Sequence, residues 1–90
     1  MAAYNVANKT GGTIWWKDAG WFSGDLAAGE SKRVETDHDA NVTMYSKDAK
    51  GNTELGFVWI PKNNGCCVVR GKWDWTIKEG LDQNQCSALD

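Results

Sequence analysis

Apolar and polar residues alternate with a period of two along most of this 90-residue chain, which is the pattern of half-buried β-strands. Tyr4 and Val6 alternate with Ala3, Asn5 and Ala7 in a first segment that stops at Gly11-Gly12. Ile14 and Trp16 oppose Thr13, Trp15 and Lys17 in a second. Asp18-Ala19-Gly20 reads as a tight turn and Trp21-Phe22 as a short return strand. A loop over Gly24–Gly29 leads to a strand over Lys32–Thr36, and Asn41–Ser46 sets Val42 and Met44 against Thr43 and Tyr45. Lys47–Asn52 carries turn residues, and Thr53–Ile60 alternates Leu55, Phe57 and Trp59 with Glu54, Gly56 and Val58. Pro61–Gly65 reads as a loop, Cys66–Arg70 as a strand apolar on both faces, and Gly71-Lys72 as a tight connection. Trp73, Trp75 and Ile77 then alternate with Asp74, Thr76 and Lys78. Only Leu81–Leu89 has helical character, and it is weak. Short strands with turn signals between them predict an all-β fold, a small antiparallel β-sandwich or barrel, as one domain over residues 1–90.

Six tryptophans change the picture: Trp15, Trp16, Trp21, Trp59, Trp73 and Trp75. So small a domain has one shallow core, and a few large rings fill it. Indole is rarely buried whole, and its N–H needs a partner when it is. Some of these rings are therefore expected at the surface, where a flat apolar face with a polar edge suits sugar rings, choline-like groups or protein partners.

Charge excludes more than it suggests. Ten basic against 12 acidic residues give a net charge of −2, with no basic patch for nucleic acid. No run approaches the roughly 20 apolar residues of a membrane span. The first residues, Met1-Ala2-Ala3-Tyr4-Asn5, show neither a basic nor an apolar leader region, so cytoplasmic localisation is expected, with release by a non-standard route as the alternative. The sequons Asn8-Lys9-Thr10 and Asn41-Val42-Thr43 are idle on that reading.

The cysteines are Cys66, Cys67 and Cys86. Neighbours in a strand point to opposite faces, so at most one of the first two can pair with Cys86, leaving one thiol free or available to a second subunit. Three reduced thiols packed as small hydrophobes fit cytosolic synthesis. With a single histidine there is no zinc spacing, and no cofactor or metal is expected.

If consecutive strands run antiparallel, their loops alternate between the two ends of the domain. Asp18–Gly20, Asp37–Ala40 and Pro61–Gly65 then share one end, which gathers Asp18, Asp37, His38, Asp39, Asn63 and Asn64 beside Trp15 or Trp21. Carboxylates and amides fix hydroxyl groups while an indole stacks on the apolar face of a pyranose. This is the candidate sugar site, with Trp15, Asp18, Trp21, His38, Asp39, Asn63 and Asn64 as its residues. Catalysis finds less support: His38 needs an orienting partner and a nucleophile, and Asp37-His38-Asp39 also reads as a plain polar turn.

Length, Trp-rich β patterning and the run Asn8-Lys9-Thr10-Gly11-Gly12-Thr13-Ile14-Trp15-Trp16 resemble the small cytosolic lectins of mushroom fruiting bodies. The resemblance implies a dimeric, galactose- or α-galactoside-specific lectin without enzymatic activity, whose partners are glycans on glycoproteins or glycolipids. One shallow monosaccharide site binds weakly, and a symmetric homodimer recovers strength through multivalency. The competing readings are a lysin-like module that inserts aromatic residues at a membrane surface and a Trp-rich protein-interaction domain.

Overall fold

In a computed structural model the chain folds into two four-stranded sheets with one short helix. The structure describes residues 2–18 and 22–89, Phe22 by its backbone alone. The strands are β1 (Ala3–Asn8), β2 (Ile14–Asp18), β3 (Phe22–Leu26), β4 (Ser31–Glu35), β5 (Ala40–Asp48), β6 (Gly51–Ile60), β7 (Asn63–Gly71) and β8 (Asp74–Lys78), followed by α1 (Gln83–Ser87). One sheet runs β4-β1-β7-β8 and the other β3-β2-β5-β6. Their facing sides supply a single core that includes Tyr4, Val6, Trp16, Met44, Ile60 and Val69. The architecture is a β-sandwich.

Not every pairing is antiparallel. β1 and β7 run parallel, with Val6 opposite Cys67, while β1–β4 and β7–β8 are antiparallel. β1 therefore sits in the interior of its sheet, and all six of its residues are buried. Tyr4 and Val6 face the core, where Trp16 Nε1 donates to Tyr4 Oη at 3.1 Å. That bond satisfies both polar atoms of two buried rings, and burial pushes the Tyr4 phenol up to about 12.

On the other side of β1, Ala7 joins Cys66, Val68 and Cys86 in a second apolar cluster under the C-terminal tail. The buried Asn5 amide donates to the Leu81 carbonyl at 3.0 Å and tethers the same tail. Asp82 caps α1, accepting from Gln85 N at 2.7 Å while Gln85 Oε1 accepts from Asp82 N at 2.9 Å. The weak helical signal in Leu81–Leu89 thus becomes a one-turn clasp over the sheet.

Several sequence expectations are revised. Gly24, Asp25 and Leu26 belong to β3, with Leu26 buried, so the expected loop over Gly24–Gly29 shrinks to a turn after Leu26. Asn63, Asn64 and Gly65 open β7 and only Pro61-Lys62 turns. Most of the Asp18-Ala19-Gly20 turn and the Trp21 half of the return strand lie outside the described residues. Cys66 and Cys86 are joined in a disulfide, against the expectation of three reduced thiols. The alternation of β7 explains the choice: Cys66 points outward to the tail, whereas Cys67 points into the core as a free thiol that burial raises to about 12. Asn8 is wholly buried too, donating to the carbonyls of Gly12 (2.7 Å) and Leu26 (3.0 Å) and accepting from Thr10 N and Oγ1. The disulfide closes a sequence separation of 20 residues, so Cys86→Ala is expected to cost about 3 kcal/mol, read as a lower urea midpoint under non-reducing conditions.

Candidate functional site

Two regions concentrate chemistry. The first is the end of the sandwich where β2 finishes and β5 begins. Register pairs Asp18 with Val42 and Ala40 with Ile60, so Asp18, the Asp37–Asp39 turn and Pro61-Lys62 come together there, as the strand count predicts. Asp18 shares the inward face of β2 with Trp16 and is only 2% exposed. Its Oδ1 lies 3.7 Å from His38 Nε2. His38 Nδ1 lies 3.0 Å from Asp37 Oδ1 and 3.2 Å from Thr36 Oγ1. Asp39 Oδ1 accepts from Lys62 N at 2.9 Å, locking the two turns together.

The remaining predicted residues go elsewhere. Trp15 stands three residues from Asp18, about 10 Å along the strand, and on the opposite, outward face, where it stacks on Tyr45. Asn64 accepts from Arg33 Nη1 at 3.0 Å beside β4 of the other sheet. Asn63 pairs with Ala3 at the same end as His38, its side chain exposed. Trp21 lies outside the described residues. The end cluster is thus Asp18, His38 and Asp39 with Asp37 and Lys62, and among the described residues it holds no aromatic platform from Trp15.

The second region is the outward face of the β3-β2-β5-β6 sheet, which the tail does not cover. Its registers set Asp25, Trp15, Tyr45 and Glu54 in one row, Ser23, Lys17, Thr43 and Phe57 in the next, and Asn41 with Trp59 in a third. Trp15 and Tyr45 stack with ring centroids 4.2 Å apart and planes 14° from parallel. Phe57, Trp59 and Trp73 are 65%, 53% and 54% exposed, an exceptional outlay of aromatic surface for so small a protein. A groove of about 570 Å³ runs between β5 and β6, lined by Asn41, Val42, Thr43, Phe57, Val58 and Trp59.

Trp73 reaches this region by an unusual route. The sequence pattern places it in the last strand in line with Trp75, but β8 begins only at Asp74. Trp73 instead occupies the preceding turn with φ of 53°, and its N–H donates to the Leu55 carbonyl at 2.8 Å. A bulky residue in left-handed backbone costs on the order of 1–3 kcal/mol. Its partner across the sandwich edge is Gly56, at a β-bulge opposite Met44 and Tyr45. Gly56 has φ of 136°, and a Cβ there would come within 2.9 Å of the Trp73 and Trp75 rings. The missing side chain seats both indoles, and Trp73 then meets Phe57 edge-on at 5.1 Å. The alternation signal found Phe57 and Trp59 on one face; Gly56 was the signal that could have found Trp73.

Comparison with known proteins yields no match: no family model, no curated protein and no solved structure is significantly similar to the chain. Function therefore rests on these two regions.

The end cluster gives a titration that can be checked. The Asp37 carboxylate, and then the nearby Asp18 charge, hold the His38 imidazole above its ordinary 6.5 against a partial loss of solvation. The same contact holds Asp37 below 3.8. A raised histidine stabilises the fold fully below about pH 6.5 and loses that contribution as pH rises through its folded value. Lowered Asp37 contributes above 3.8 and is lost as pH falls through its own folded value. An NMR titration of His38 should give a midpoint above 6.5 that falls most in Asp37→Asn and less in Asp18→Asn. For the platform, Gly56→Ala should cost about 2 kcal/mol or more through overpacking and backbone strain, seen as a lower urea midpoint with an altered near-UV spectrum.

Proposed function

We propose that the protein is a non-catalytic carbohydrate-binding module, a lectin for galactose-type glycans, and that its sugar-contact surface is the outward sheet face rather than the sandwich end. The observation that carries this reading is the pair Phe57 and Trp59 on the outward face, with Trp73 in strained backbone edge-on against Phe57 at 5.1 Å and all three more than half exposed. Aromatic rings offer flat apolar area for the C–H face of a pyranose, and the Asn41 amide and Thr43 hydroxyl beside them offer donors and acceptors to ring hydroxyls. An axial hydroxyl gives a galactoside one such apolar face with a polar edge alongside.

The end cluster, by contrast, is occupied with holding the turns. The only histidine is engaged by Asp37 and Asp18, which balances buried charge and pins the turns. Asp39 spends an oxygen on Lys62 N. Both facts favour a structural use of residues that the sequence offers as ligands.

A single open groove binds a monosaccharide weakly, so the reading includes a homodimer that presents two faces to glycans on a cell surface or glycoprotein. The Cys66–Cys86 bridge favours a working life outside reducing cytosol. No helix of the described residues is long and apolar enough to cross a membrane.

The decisive measurement is agglutination with sugar inhibition, followed by calorimetry on variants. Trp59→Ala and Trp73→Ala should each weaken binding tenfold or more, about 1.4 kcal/mol, while Asp18→Asn and Asp39→Asn leave it within twofold. The reverse pattern would return the site to the sandwich end. Loss of dye from liposomes without sugar binding would favour the membrane reading. Light scattering in reductant should give about twice the 9.9 kDa chain mass.

A further inference from the structure

We propose that the outward face carries a second sugar subsite at its β2–β3 side, so that the natural ligand is a neutral oligosaccharide chain lying across the sheet rather than one terminal residue. This extends the carbohydrate reading above and rests on it.

The second subsite is a groove of about 300 Å³ lined by Trp15, Ser23, Gly24, Asp25 and Lys47. Gly24 takes an inward position opposite Trp16, so only its backbone floors the groove between the outward Ser23 and Asp25. Trp15 forms its wall and is braced by the stacked Tyr45 ring, which fixes its orientation before any ligand arrives. Pre-fixed aromatic walls lower the ordering cost of binding. Ser23, Asp25 and Lys47 together supply a hydroxyl, a strong acceptor and a strong donor.

Both grooves open on the same sheet face, and register gives their separation. Trp15 on β2 and Phe57 on β6 are two strand spacings apart, and their rows differ by two residues, which amounts to about 12 Å between backbones. That exceeds the reach of one sugar ring. Tyr45 and Thr43 lie on the strand between them, and the same registers set the charged side chains of Lys17, Asp25 and Glu54 beside these rings.

Charge and texture select the occupant. The first groove is lined by no charged side chain, and the second holds one acid, Asp25, against one base, Lys47. A strongly charged ligand finds no complementary field. A lipid surface or an apolar protein face matches an uncharged patch better than one set with Lys17, Asp25 and Glu54. A chain of pyranoses repeats apolar face and hydroxyl edge along its length, which fits aromatic rings set among polar side chains.

The test is calorimetry with the full chain against α-linked galacto-oligosaccharides, β-linked gluco-oligosaccharides and chito-oligosaccharides of one to four residues. Affinity for at least one series should rise tenfold or more between one residue and four. The paired variant Asp25→Ala/Lys47→Ala alters two exposed side chains and should abolish that rise while leaving monosaccharide affinity within twofold. Trp15→Ala should do the same where it folds. Length-independent affinity, or a rise that survives Asp25→Ala/Lys47→Ala, overturns the second subsite and leaves the lectin reading standing. Absence of binding in all three series overturns both.

Discussion

Burial of β1 on both faces is the constraint from which the remaining structure follows. A strand lying between two neighbours and under cover on each side must find partners for everything it carries. Its inward Tyr4 and Val6 nucleate the space between the sheets, and the Tyr4 hydroxyl meets the indole of Trp16 from the opposing sheet. Its outward residues need a second layer, which the chain provides with its last residues, held by the Asn5 amide and the Cys66–Cys86 bridge. The parallel pairing with β7 is the topological cost of placing an N-terminal strand at the centre. The face of one sheet is covered by the tail, and among the described residues the broad sheet face left to solvent is the aromatic one.

Much of this was legible in the residues themselves, and the failures are instructive. Alternation located every strand but most of β3, because the inward rows of β2, β5 and β6 are apolar and the turns between them rich in Gly, Asp and Asn. It placed the ends correctly too, bringing Asp18, His38 and Asp39 together, since that conclusion needs only the number of reversals. It could not show that β1 pairs parallel with β7, because partner choice is set by long-range packing and leaves no local periodicity. Leu26 looked like loop because Gly24 and Gly29 bracket it, yet burial of one leucine was enough to extend β3.

The candidate site was read less well, for a physical reason. Loop residues with oxygen atoms resemble ligand contacts in sequence, but turns use the same atoms to hold themselves together. Asp39 to Lys62 N and Asn64 to Arg33 are such uses. Aromatic residues carry the opposite ambiguity: Trp16 and Trp59 both alternate within strands, and only the identity of the covered face separates a core ring from a presented one. That face is decided by which side of the sheet the opposing sheet covers. Trp73 was hidden further by its turn, since an indole with positive φ breaks the expectation that large residues near a strand belong to it.

Asn8 carries a last consequence. Its amide is enclosed and bonded to Gly12, Leu26 and Thr10 at once, at the point where β1 ends. The same residue begins a glycosylation sequon, and a glycan on that nitrogen is incompatible with the native strand end. In a secretory host, modification and folding become competing fates of the nascent chain. Each molecule glycosylated at Asn8 is lost to the native state, so eukaryotic secretion selects for fast closure of the β1–β2 connection, whereas expression in a host without this modification imposes no such race.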